Sequence, residues 1–252
     1  MEAKSSELYK RKLISLFKRL IQFLEENNLK YYATYGTLLG AVRHQGLIPW
    51  DDDIDICMPR DDYERLLSMK KDLLMNNLDL CSLHDKDYYM PLAKVHDTKS
   101  TVWEFKMYPF LFGVYIDIFP LDSTNLDDDT IVEKMKWYNK HFRLYMASLC
   151  HEKTTDLLKC FFNGNTFYAI RHLFAKDFLR PFRSFLWKKV ISIEKQLSKE
   201  REGSKLINYG GVYGKKEIIP SRWFDSSVKL SFSDFEINAP AEYDSYLRHF
   251  YL

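Results

Sequence analysis

The chain has 252 residues, 46% hydrophobic and 29% charged with nine glycines and eight prolines, which argues for a folded globular protein and against disorder or a collagen-like rod. A formal net charge of only +2 gives neither nucleic acid nor an anionic membrane as a partner held by the global field. Four widely spaced cysteines (Cys57, Cys81, Cys150 and Cys160) with no CxxC pair argue against a zinc or disulfide framework and predict reduced thiols.

The polar start, Met1 to Glu7, lacks the apolar core of a signal peptide, and no run reaches the ~18–20 apolar residues of a spanning helix. A soluble protein is expected, or one resting on a membrane surface. Leu13, Leu16, Phe17, Leu20, Ile21 and Leu24 recur at helical steps and predict an amphipathic helix over 7–27. Residues 30–35 read as a strand that Gly36 breaks, with Thr37 capping a short helix over 38–44. Residues 45–50 turn back and deliver an acidic strand that ends at Cys57, a small core residue. Pro59 then opens a helix over 60–75.

Four strands are expected next, over 78–83, 90–96, 101–106 and 114–119, with turns at 84–87 and 97–100. Residues 128–150 read as a helix. A second helical region over 155–198 is broken at Asn163-Gly164-Asn165 and kinked at Pro181. Within it, 159–190 holds seven Lys/Arg, one Asp and nine aromatic residues. Two readings stay open: a helical lobe packing its aromatics inward, or an interfacial surface for anionic lipid or a charged acceptor. A glycine-rich turn at 209–214, short strands near 228–232 and 235–237, and a last helix from Ala241 complete the chain.

The chemistry is concentrated in the acidic strand. Alternation puts Asp53 and Asp55 on one face while Ile54 and Ile56 enter the core, and Asp51 joins them if the backbone stays extended. Carboxylates this close repel unless a cation neutralises them, and hard oxygen ligands suit Mg²⁺ or Mn²⁺. Asp117, alone in the apolar run Val114 to Phe119, needs a buried partner, and the same ion would supply it. An EF-hand does not fit: loop position 6 would be Ile56 instead of glycine, and position 12 would be Asp62 instead of glutamate. A solvated acidic loop is the plainer alternative, weakened by the apolar residues interleaved with Asp53 and Asp55.

Other side chains fit a phosphate ligand. Gly36 and Thr37 would offer backbone N–H and hydroxyl groups at a helix start. Arg43 could grip phosphate oxygens with its fork, and His44 stands beside it. Lys94, flanked by apolar residues, suggests a ligand or Asp partner, or else ordinary snorkelling. Tyr35 and Trp50 read first as core aromatics, second as stacking groups for a base or a choline-like cation.

The run Tyr35-Gly-Thr-Leu-Leu-Gly-Ala-Val-Arg-His-Gln-Gly-Leu-Ile-Pro-Trp-Asp-Asp-Asp-Ile-Asp-Ile56 closely resembles the signature of the LicD family, relatives of the fukutin-type phosphotransferases in the polymerase-β-like nucleotidyltransferase superfamily. Tyr115-Ile-Asp-Ile-Phe-Pro-Leu-Asp122 resembles the family's second motif, and Lys94 to Thr98 and Ala239 to Arg248 are similar to further segments of it. Residues 128–205 lie outside the resemblance.

The resemblance implies an α+β fold, a nucleotidyltransferase-like mixed β-sheet with flanking helices, to which the chain's own helical pattern adds a lobe. The expected organisation is a catalytic core over 1–127, a lobe over 128–205, and a C-terminal segment over 206–252 packing back on the core. It also implies transfer of a phospho-alcohol from a CDP-linked donor such as CDP-choline to a cell-surface glycan (lipopolysaccharide, teichoic acid or capsule). Carried over by position, Asp51, Asp53, Asp55 and Asp117 are the acidic metal-site residues, with Asp53, Asp55 and Asp117 catalytic. Gly36 and Thr37 fill the glycine-turn position of the superfamily, and together with Arg43 and Lys94, read from their own chemistry, they are the expected substrate-binding residues. Nucleic acid is not an expected partner, and the expected location is the cytoplasm, up to the inner face of the membrane. A nucleotidyltransferase releasing pyrophosphate from an NTP and a non-catalytic glycan-binding module are the rival readings.

Overall fold

A computed structural model describes residues 2–105, 108, 110–150 and 178–252. Helix α1, Glu2–Glu26, starts earlier than its apolar periodicity does. Its stripe of Leu13, Leu16, Phe17, Leu20 and Leu24 is fully buried against the sheet, each side chain contributing about 2 kcal/mol.

Among the described residues the sheet has seven strands, with the path β1 (Tyr32–Ala33), β2 (Asp55–Pro59), β5 (Tyr115–Thr124), β4 (Ala93–Asp97) and β3 (Leu78–Cys81). It is mixed: β2 and β5 run parallel, and the remaining neighbours are antiparallel. Two short strands, β6 (Lys205–Ile207) and β7 (Ile218–Pro220), extend it from β5. A separate hairpin pairs β8 (Ser227–Phe232) with β9 (Phe235–Pro240).

Strand β5 is the spine. One of its edges is shared, β4 pairing with Tyr115 to Ile118 and β6 with Asp122 to Thr124. The residues preceding β4 and following β6 meet there, a Cβ on Gly210 falling 2.8 Å from that of Pro91. Both segments line a cavity beside Phe119.

Several expected elements shift. The strand expected over 30–35 reduces to two paired residues, and helix α2 runs Tyr35–His44, with Thr34 at the N-cap position where Thr37 was expected. Tyr35 carries φ 44°, a left-handed conformation costly for an aromatic residue. The helix expected over 60–75 divides into α3 (Arg60–Ser68) and α4 (Lys70–Met75), because Met69 leaves helical geometry. No strand forms over the described part of 101–106; Val102 makes a single bridge to Phe112. The acidic strand begins only at Asp55, leaving Asp51 to Ile54 irregular.

Helix α5, Asp128–Leu149, forms as expected, and the Asp127 side chain accepts from the Thr130 N–H to cap it. It packs on α6, Arg183–Leu197, burying Ile131, Met135, Tyr138, Leu186, Val190 and Ile193 in a second core. Pro181 lies in a 3₁₀ turn ahead of α6, and the expected break at Asn163-Gly164-Asn165 lies outside the described residues. Phe182 and Phe185 stay exposed, so the described end of the basic aromatic stretch has one packed face and one open aromatic face. Helix α7, Tyr243–Tyr251, closes the chain against α2.

Arg60, the first residue of α3, ties the two cores together. It grips Asp122 of β5 with two hydrogen bonds of 2.7 and 2.8 Å and Glu194 of α6 with a third of 3.1 Å. Burial alone would lower the guanidinium's pKa, but the Asp122 carboxylate outweighs it and holds the charge in place.

Candidate active site

Strand pairing brings the first three charged groups together. Asp55 of β2 sits opposite Asp117 of β5, and Asp117 sits opposite Lys94 of β4, so one row crosses three strands. The alternate residues Ile56, Ile116 and Ile118 enter the core, which turns the charged row toward the other face. Asp117 therefore does have a charged protein partner. The fully buried Lys94 donates to it at 2.6 Å, lies 3.6 Å from Glu104, and stands 3.6 Å from the centre of the Tyr115 ring. The Tyr89 and Tyr115 hydroxyls both donate to Glu104, closing the network behind the row.

The acidic segment before β2 is pinned by helix α2. The Asp55 N–H donates to the Thr37 hydroxyl at 2.8 Å, which fixes the entry to the strand. A Cβ on Gly36 would lie 2.7 Å from the Asp51 carboxylate, so this glycine is the small residue that lets Asp51 lie over the start of α2. A carboxylate there meets the positive end of the helix.

A cavity of about 410 Å³ opens on this face, and Gly36, Asp51, Asp53, Asp55 and Asp117 line it. Arg43, Lys94 and Thr37 are not among its lining residues. Arg43 and His44 are exposed at the far end of α2. Trp50, expected in the core, is 82% exposed and meets the His44 ring edge-on. Tyr35 is buried as expected.

The far wall is a contribution that the linear sequence hides. Gly210, Gly211, Val212 and Tyr213 line the cavity with Glu217 and Tyr251. Glu217 is 3% exposed, accepts from the Tyr35 hydroxyl at 2.7 Å and from the Tyr213 N–H at 3.2 Å, and packs where a Gly211 side chain would stand. The glycine-rich turn was visible in the sequence, but nothing local joins it to Asp55 some 155 residues earlier. The β5–β6 pairing and the Tyr35 contacts to Glu217 and Tyr213 do.

The electrostatics are those of crowded carboxylates. Burial, then Asp51, pushes Asp53 up to about 7. Burial, then Asp117 and Asp53, holds Asp55 well above the carboxylate range, against the opposing pull of Lys94. Asp117 is also raised, chiefly by burial, despite its ion pair with Lys94. Such a set is short of positive charge, and its donors are all oxygens, the chemistry that suits a hard divalent cation. Among the described residues no three acidic, His or Cys side chains already stand together as a metal cluster. The fit to Mg²⁺ therefore rests on donor type and unmet charge.

Glu217 has a separate titration. Burial raises it from 4.5 to about 7, so the folded chain holds its proton more tightly than the unfolded chain does. That contribution is complete below about pH 4.5 and is lost as the pH rises through about 7. Glu217→Gln should accordingly flatten the pH dependence of stability, gaining about 3 kcal/mol relative to wild type between pH 5 and pH 8. Urea titrations at the two pH values measure this, and parallel losses in both proteins would refute it.

A family model described as LicD/FKTN/FKRP, nucleotidyltransferase domain, matches residues 28–169, more than half of the chain. The lipopolysaccharide cholinephosphotransferase LicD of Haemophilus influenzae is 25% identical over 240 residues, covering 90% of this chain and 82% of that protein. An uncharacterized protein of Rickettsia typhi is 31% identical over 170 residues, 58% of this chain and 55% of that protein. Another, from Rickettsia prowazekii, is 54% identical over 50 residues, 20% of this chain and 19% of its own.

Proposed function

The chain belongs to the LicD/FKTN/FKRP nucleotidyltransferase-domain family, and from that premise we propose that it moves a phospho-alcohol, phosphocholine first among them, from a CDP-linked donor to a hydroxyl of a cell-surface glycan. The observation that carries this reading is the cavity itself. It joins the Gly36 helix start to Asp51, Asp53, Asp55 and Asp117 in a space large enough for a nucleotide-linked ligand. The name of the Haemophilus influenzae relative supports phosphocholine and lipopolysaccharide as donor group and acceptor class.

In this mechanism Asp51, Asp53, Asp55 and Asp117 would hold Mg²⁺ or Mn²⁺, which when bound supplies positive charge to the phosphate oxygens. The start of α2, where Gly36 lines the cavity beside Asp51, would help orient the phosphate. The acceptor oxygen attacks the phosphorus that bears the alcohol, its bond to CMP breaks, and CMP leaves with the electron pair. Asp117 takes the acceptor's proton. Lys94, enclosed behind Asp117, acts as a positioning residue. The exposed Phe182 and Phe185 would give the enzyme a peripheral foothold on the inner face of the membrane, where a cytoplasmic nucleotide donor is at hand. No described helix is long and apolar enough to cross a membrane.

Incubation with CDP-choline, lipopolysaccharide or teichoic acid acceptor and Mg²⁺ should release CMP and yield choline-bearing glycan. An intact donor after long incubation across those acceptors would refute the reading. The family's nucleotidyltransferase description favours one rival, transfer of NMP from an NTP. Pyrophosphate in place of CMP would establish it.

A further inference from the structure

The cavity has two differently built ends, and the reading above uses only one. Away from the aspartate row its wall is aromatic, with Tyr35, Phe119, Tyr213 and Tyr251 among the lining residues. Tyr213 stacks on Tyr35 at 5.6 Å with 26° between the rings and meets Phe250 edge-on at 5.5 Å. Tyr213 and Tyr251 keep 45% and 42% of their surface open, a large aromatic area to leave in water at a cavity mouth. Beneath them lies Glu217, whose partners are the neutral Tyr35 hydroxyl and Tyr213 N–H. Among the described residues no Lys, Arg or His makes an ion pair with it, and no Lys, Arg or His lines the cavity.

Aromatic faces attract an organic cation, because the ring quadrupole favours positive charge that carries no hydrogen to donate. An uncharged polyol would instead need free hydrogen-bonding groups. Glu217 already spends both oxygens on the protein, and the rings offer few. We propose that Tyr213, Tyr251, Phe119 and Tyr35, over Glu217, form the subsite for a quaternary ammonium group on the transferred alcohol, selecting cationic over polyol donors. Glu217 is the positioning residue: it holds the Tyr35 hydroxyl and the backbone of the loop that carries Tyr213. This inference rests on the phosphotransferase reading for its donor, but its binding chemistry can be measured apart from transfer.

The test is calorimetric titration of the full chain, with Mg²⁺, against CDP-choline, CDP-glycerol, CMP and choline. Wild type should bind CDP-choline at least tenfold more tightly than CDP-glycerol. Tyr213→Leu keeps bulk and removes the ring; it should weaken CDP-choline about ten- to thirty-fold and leave CMP unchanged. Tyr213→Phe should restore wild-type affinity. Because Tyr213 is nearly half exposed, neither variant threatens the core, and an unchanged melting temperature checks this.

Equal affinity for the two donors, an unaltered Tyr213→Leu, or an equal loss for CMP would overturn the proposal. CMP release from CDP-glycerol with CDP-choline ignored would overturn it while the phosphotransferase reading stands. Choline binding that Tyr213→Leu abolishes, in a chain that releases no CMP from any donor, would keep the subsite and remove the phosphotransferase reading.

Discussion

Asp55→Asn is expected to cut CMP release from a CDP-linked donor about 10²- to 10³-fold without unfolding the chain. Asp55 is the carboxylate most tightly placed by the fold. Its N–H is held by Thr37, and its Cα faces Asp117 across the parallel ladder. Burial and two neighbouring acids already press it toward the neutral form, so the isosteric amide removes repulsion and should leave melting temperature equal or higher. Activity and stability therefore move apart, which a merely structural role for Asp55 would not produce. Mg²⁺ should raise the melting temperature of wild type and lose that effect in the variant. Asp52→Asn, at an exposed position outside the cavity lining, is the control and should retain activity. Unaltered CMP release by Asp55→Asn would reject the acidic row as the reaction site.

Arg60→Met should carry the largest loss of stability, about 3–5 kcal/mol. The methionine fills most of the apolar volume of the arginine stem but leaves Asp122 and Glu194 enclosed without their shared counter-charge. Their side chains are 2% and 14% exposed, so water cannot replace the guanidinium at Asp122. Chemical denaturation reads the loss. Arg60→Met combined with Asp122→Leu should recover part of it, since replacing both members of a buried pair costs less than orphaning one. A single variant as stable as wild type would show that this junction between the two cores contributes nothing net.

Helix α5 and the strands of the β8–β9 hairpin follow from periodicity and turn chemistry, which act between residues a few positions apart, while the α+β class came with the family resemblance. The same holds for the acidic segment. Asp53, Asp55 and Asp117 stand out in the bare chain because carboxylates interleaved with isoleucines are costly without compensation. The family resemblance was legible in those local motifs, while the family model matches residues 28–169 and so reaches into a region the motifs left out.

Other features needed the folded chain. Asp117 was assigned a metal as its partner, yet Lys94 meets it directly, because antiparallel register places the two strands side by side. Trp50 looked like a core residue by type, but its segment lies at the surface. Strands β6 and β7 are three residues each, too short to leave a periodic signal, and they exist because β5 offers an open edge. Their pairing carries Glu217, Tyr213 and the paired glycines to the mouth of the aspartate cavity. The bare sequence thus determined which residues are chemically unusual, since that is written in neighbours along the chain. Which of them face one another was decided by strand register and loop closure, interactions between segments 23 (Lys94 and Asp117) to 182 (Tyr35 and Glu217) residues apart that no local pattern encodes.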